Sequence, residues 1–135
     1  MKDQIKIGNY FNKINYHTEK KQYKKSCYHE KKLLPLISAD DKLYSFINKQ
    51  HGITLFNLKK YKQAIKPLLL AEGSAKTAKE LFDVHFHLYK SYYLLSDYHN
   101  LIRYGEKTLA FKNINPFLLA KISGVIGRFN YLLYL

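Results

Sequence analysis

Apolar residues along the chain recur at steps of three and four from one end to the other. Leu81, Val84, Leu88, Tyr92 and Leu95 share one helical face, and Phe117, Ile122, Val125, Phe129 and Leu132 repeat the spacing near the end. No stretch alternates with period two for long enough to make a strand. The pattern predicts an all-α chain of seven helices, at about 4–17, 19–34, 39–58, 60–72, 78–95, 98–111 and 116–135, with linkers short enough that neighbours pack antiparallel.

Helix-start residues sit where this periodicity needs them. Asp3, Thr18, Ser38, Thr77, Asp97 and Asn115 each precede an apolar-periodic segment, and each can accept from an orphan backbone N–H. Thr77 with Glu80 has capping-box spacing, Ser38 with Asp41 is a variant of it, and Asn115 is followed by Pro116, suited to a first helical position. Gly73 and the 113–115 stretch read as stops. Pro35 falls at a helix end, and Pro67 inside the fourth helix predicts a kink.

Three junctions carry a tyrosine at the same place: Tyr23 in "KKQYKKS", Tyr61 in "LKKYKQA" and Tyr98 in "LSDYHNL". A recurrence in this range marks stacked helical hairpins. The middle unit resembles the tetratricopeptide repeat, with Gly52 where the first helix needs a small residue, Phe56 nearby, Tyr61 at the turn, and Ala64 and Ala71 on the second helix. The third unit keeps Leu88, Tyr89, Tyr92 and Tyr98 but has Leu101 and Gly105 where alanine and an aromatic are usual. In the first, Lys13 falls on a core position. "GRFNYLLYL" at the end parallels the stretch from Gly52. The resemblance implies a single domain over 1–135, a right-handed superhelix of about 3.5 hairpins, with units at about 4–37, 38–76 and 77–114 and a final unpaired helix, 116–135.

The resemblance further implies a non-enzymatic module, regulatory or adaptor in kind, that binds a peptide or protein segment along the first helices of the hairpins. It is similar to the repeat domains of peptide-sensing regulators of Gram-positive bacteria and their phages, although the DNA-binding region that such regulators place ahead of the repeats is not seen. Carried over by register, the groove positions are Phe11, Asn12 and Asn15; Phe46, Lys49, Ile53, Phe56 and Asn57; Asp83, Phe86, His87, Lys90 and Tyr93; and Lys121, Arg128 and Tyr131. Asparagine amides donate to and accept from a peptide backbone, cations pair with acidic side chains or a terminal carboxylate, and aromatics offer flat apolar area. The last helix is apolar on more than one face. Phe129, Leu132, Leu133 and Leu135 are therefore expected to meet a second copy or another protein.

Charge adds a rival. Twenty-three Lys and Arg against ten Asp and Glu give +13, a field that attracts phosphate polymers and acidic partners. Lysine interleaves with tyrosine around Lys24, Lys25, Lys60 and Lys62, and a basic stripe on the second helices would bind nucleic acid. Only Arg103 and Arg128 are arginine, whereas sites built for bidentate phosphate recognition favour it.

Composition otherwise narrows the field. With 47% hydrophobic and 24% charged residues the chain belongs to the globular class. Cys27 is alone, no apolar run reaches about 18 residues, and the first residues lack the apolar stretch of a signal peptide; together these point to the cytosol and away from membranes. No cofactor or metal is expected. Phosphate-binding glycine loops and nucleophile elbows are missing, and the pairs Cys27/His29 and His85/His87 are two residues apart, the wrong spacing for one helix face.

Overall fold

The computed structural model describes residues 2–133. Among them are seven α-helices and no strand: α1 Lys2–Glu19, α2 Tyr23–Leu33, α3 Tyr44–Asn57, α4 Tyr61–Ser74, α5 Ala78–Leu94, α6 Tyr98–Leu109 and α7 Pro116–Leu133, with a 3-10 turn, Leu34–Leu36, after α2. The closest packing is within the pairs α1–α2, α3–α4 and α5–α6. Each pair is joined to the next through α2–α3, α4–α5 and α6–α7, and α3 also touches α5.

The three tyrosines open α2, α4 and α6. Two residues before each, at Lys21, Lys59 and Ser96, φ is +57°, +63° and +57°. In each turn this residue's N–H bonds the carbonyl three back (Thr18, Phe56, Tyr93), and the following N–H bonds the carbonyl five back (His17, Leu55, Tyr92), at 2.8–3.1 Å. That is the Schellman closure of a helix, used three times. The next residue (Gln22, Lys60 or Asp97) lies at φ near −90° to −97° and launches the second helix. The repeat is therefore a backbone fact as well as a pattern of residue types.

Later helix starts follow the sequence closely. Thr77 Oγ1 accepts from Glu80 N at 3.1 Å, Asp97 caps Asn100, and Asn115 Oδ1 accepts from Phe117 N at 2.8 Å with Pro116 first in α7. Three earlier starts differ. Asp3 lies inside the first turn of α1 and does not precede it. Thr18 lies in the last turn of α1, its hydroxyl 3.0 Å from Ser26 Oγ. Ser38 does not open α3: its hydroxyl bonds Asp40, Asp41 accepts from Leu43 N, and the helix begins at Tyr44. Thr18 and Ser38 found local or cross-helix partners that compete with capping. Pro67 is buried within α4, which continues to Ser74.

Packing divides into two connected clusters. One joins Leu55, Ala64, Leu68, Ala71, Val84, Leu88, Leu101, Tyr104 and Ile122 across the second unit and everything after it, and reaches back to Cys27 of α2. The other holds Ile7, Ile14, Leu33, Ile37 and Ile47. Lys13, expected at a core position, is exposed, and its neighbour Ile14 is fully buried.

Candidate functional site

Aromatic contacts tie the odd-numbered helices together. Phe11 on α1 meets Phe46 on α3, with ring centres 5.9 Å apart; Phe56 on α3 meets His87 on α5 at 5.9 Å; Tyr93 on α5 meets Phe129 on α7 at 6.2 Å. Side chains at these positions emerge on one face because each first helix enters its hairpin in the same register. Lys49 reaches from α3 to Asp83 on α5 at 3.5 Å, its ammonium 5.3 Å from the Phe46 ring centre.

Beyond that ion pair a cavity of about 520 Å³ opens between α3, α5 and α7. Phe56, Phe86, Tyr89, Tyr93, Leu94, Leu118, Ile122 and Val125 give it apolar walls, and Lys90, Lys121 and Arg128 line it as cations. Lys90 Nζ stands 4.8 Å from the Phe56 ring centre and 4.5 Å from that of Phe86, a double cation–π contact. Among the described residues, no carboxylate comes within ion-pair distance of Lys90, Lys121 or Arg128. Burial, reinforced by the charge of Lys121, pulls the Lys90 pKa below its usual value. His87 Nδ1 donates to the Asp83 carbonyl at 2.7 Å, and burial beside Lys90 pushes its pKa down to about 4, so the ring is neutral at physiological pH. An aromatic cavity with uncompensated cations suits a ligand that brings apolar groups and carboxylates.

Of the groove positions expected from register, Phe56, Phe86, Lys90, Tyr93, Lys121 and Arg128 line this cavity, with Lys49, Phe46 and His87 adjoining it. Ile53 and Asn15 are half-buried, and Asn12 is exposed on α1. The Asn57 amide donates to the Ile53 carbonyl at 2.9 Å and so is occupied by its own helix. Tyr131 is exposed and does not line the cavity. The wall residues missed by register were Tyr89, Leu94, Leu118, Ile122 and Val125. The three- and four-residue spacing of Leu118, Ile122 and Val125 marked a shared face, but not whether it met the core or a groove.

The remaining expectations divide. On α7, Leu132 and Leu133 are exposed as anticipated for a contact face. Phe129 is instead engaged within the chain, stacked on Tyr98 with ring centres 4.5 Å apart. Leu135 lies outside the described residues. Lys24, Lys25, Lys60 and Lys62 are all exposed near the starts of α2 and α4. Lys62 borders a second, more open depression of about 680 Å³, floored by Ile65, Leu69, Leu70 and Leu95.

The structure also assembles a group that spacing along one helix did not reveal: Cys27 and Glu30 of α2 with His51 of α3, all buried. Among the described residues, no helix is long and apolar enough to cross a membrane. No known protein family, curated protein or solved structure matches this chain.

Proposed function

We propose that the chain is a non-enzymatic, tetratricopeptide-like binding module of a regulatory or adaptor kind. On this reading its hairpins wind into a right-handed superhelix with the odd helices inside, and an extended peptide or protein segment bearing carboxylates lies between α3, α5 and α7. The supporting observation is Lys90, half-buried over two phenylalanine rings, with Lys121 and Arg128 lining the same cavity and, among the described residues, no carboxylate within ion-pair distance of the three. A partly desolvated cation without a counter-charge is unfavourable. A ligand carboxylate would relieve that cost, while Phe86, Tyr93 and Leu118 take its apolar side chains.

The test is fluorescence anisotropy with a labelled pool of short peptides rich in Asp, Glu and apolar residues. Lys90→Ala should weaken binding about tenfold or more, as expected for a lost charge-assisted bond, whereas Lys112→Ala on the surface should not. Unchanged binding by the Lys90 variant would remove the groove reading. If charge reversal at Lys24, Lys25, Lys60 and Lys62 abolishes a steeply salt-dependent affinity for single-stranded oligonucleotide instead, the basic stripe is the functional surface.

A further inference from the structure

We propose that Cys27, Glu30 and His51 form a buried site for a divalent ion of the zinc or cobalt class. The site is independent of the groove and involves none of its residues. Cys27 and Glu30 are one turn apart on α2, which puts thiol and carboxylate on one face, and His51 approaches from α3. One ligand atom from each, the sulfur, a carboxylate oxygen and an imidazole nitrogen, all lie within 4.8 Å of one another. Tetrahedral coordination at bond lengths of about 2.0–2.3 Å separates ligand atoms by roughly 3.3–3.6 Å, so closing onto an ion takes side-chain movement of about an ångström.

The surroundings favour a cation at this point. Glu30 is fully buried in a chain of net charge +13, yet among the described residues no Lys or Arg pairs with it. Its partners are His51 Nδ1 at 2.9 Å and the Thr54 hydroxyl, which donates to the other oxygen at 2.8 Å. Thr54 thus holds the carboxylate while His51 Nδ1 points at it across a gap that one proton now fills, and outer-shell bonds of this kind orient metal ligands. A thiolate, a carboxylate and a divalent ion sum to zero charge, which suits a buried place.

The exchange balances. The ion binds the Cys27 sulfur, a Glu30 oxygen and His51 Nδ1. The thiol proton leaves to solvent, and the single proton now shared between His51 Nδ1 and Glu30 moves to Nε2 of the ring, so one proton is released overall. A thiol must lose its proton to ligate, so proton release accompanies loading and affinity rises with pH. The sulfur, nitrogen and oxygen set selects zinc or cobalt over magnesium or calcium. His51 also borders a surface depression of about 300 Å³ lined by Lys31, Asn48 and Leu55, the side from which an ion would enter.

The experiment adds Co²⁺, then Zn²⁺, to the reduced full-length chain freed of metal by chelation. One equivalent of Co²⁺ should raise a near-ultraviolet thiolate-to-cobalt charge-transfer band that Zn²⁺ bleaches, and Zn²⁺ should raise the melting temperature. Cys27→Ser should abolish the band, and His51→Gln should weaken binding about tenfold or more. The Cys27 thiol makes no hydrogen bond among the described residues, so Cys27→Ser remains informative if His51→Gln fails to fold. No charge-transfer band in the parent protein, or a Zn²⁺ stabilisation of equal size in Cys27→Ser, would overturn the site.

Discussion

At Gly52 a hydrogen is all that α3 can present to α4. A Cβ built there would lie 2.5 Å from Leu68 Cγ and 2.6 Å from its Cδ2, and Leu68 is fully buried. One repeat later the sizes are exchanged: Tyr89 stands in the register of Gly52, Gly105 in that of Leu68, and a Cβ on Gly105 would lie 3.2 Å from Tyr89 and 2.9 Å from Ile126 of α7. Gly105, which departs from the usual repeat, is thus the small half of a small–large pair that also admits the next helix. Gly52→Ala gains helix propensity but overpacks the joint, and should destabilise by about 1–2 kcal/mol in chemical denaturation. Gly127→Ala, with nothing within 4 Å, should instead stabilise by up to about 1 kcal/mol.

At the scale of elements, the unit of repetition is the turn. Lys21, Lys59 and Ser96 hold the left-handed conformation that glycine takes without penalty, and each closes its helix with the same two backbone bonds. Replacing any one of them by glycine should stabilise the protein, by about 0.5–1 kcal/mol each and roughly additively across the three turns, read as shifts in denaturation midpoint. A loss of stability at one position would show that its side chain matters more than its backbone strain. The tyrosine after each turn made these junctions legible, because residue types recurred at one spacing. The start of α3 was not legible: Ser38 and Asp41 form a polar turn whose own hydrogen bonds outweigh capping.

For the whole molecule, charge dominates. The chain carries +13, and among the described residues only Lys49–Asp83, Lys107–Glu72 and two histidine–glutamate contacts bring opposite charges together. Self-repulsion then opposes compaction and is screened within about 10 Å at 0.1 M salt. Raising sodium chloride from about 10 mM to about 150 mM should therefore raise the melting temperature by a few degrees. A fall would mean that the few ion pairs outweigh the repulsion. The candidate site belongs to this scale too, since its walls come from helices far apart in sequence. Register arithmetic found Phe56, Phe86, Lys90, Tyr93, Lys121 and Arg128, but not the apolar part of the α7 wall, Leu118, Ile122 and Val125.

What the sequence by itself determined is local. Helix content, the three equivalent hairpin joints and the small residues within them follow from periodicity, capping and turn chemistry, which act over a few neighbouring residues. Only the tertiary structure decided which cations lack a counter-charge, that Phe129 stacks on Tyr98, and that Cys27, Glu30 and His51 converge. Those outcomes depend on distances between helices, and one helix's hydrophobic pattern specifies the face it buries without specifying which side chain it will meet there.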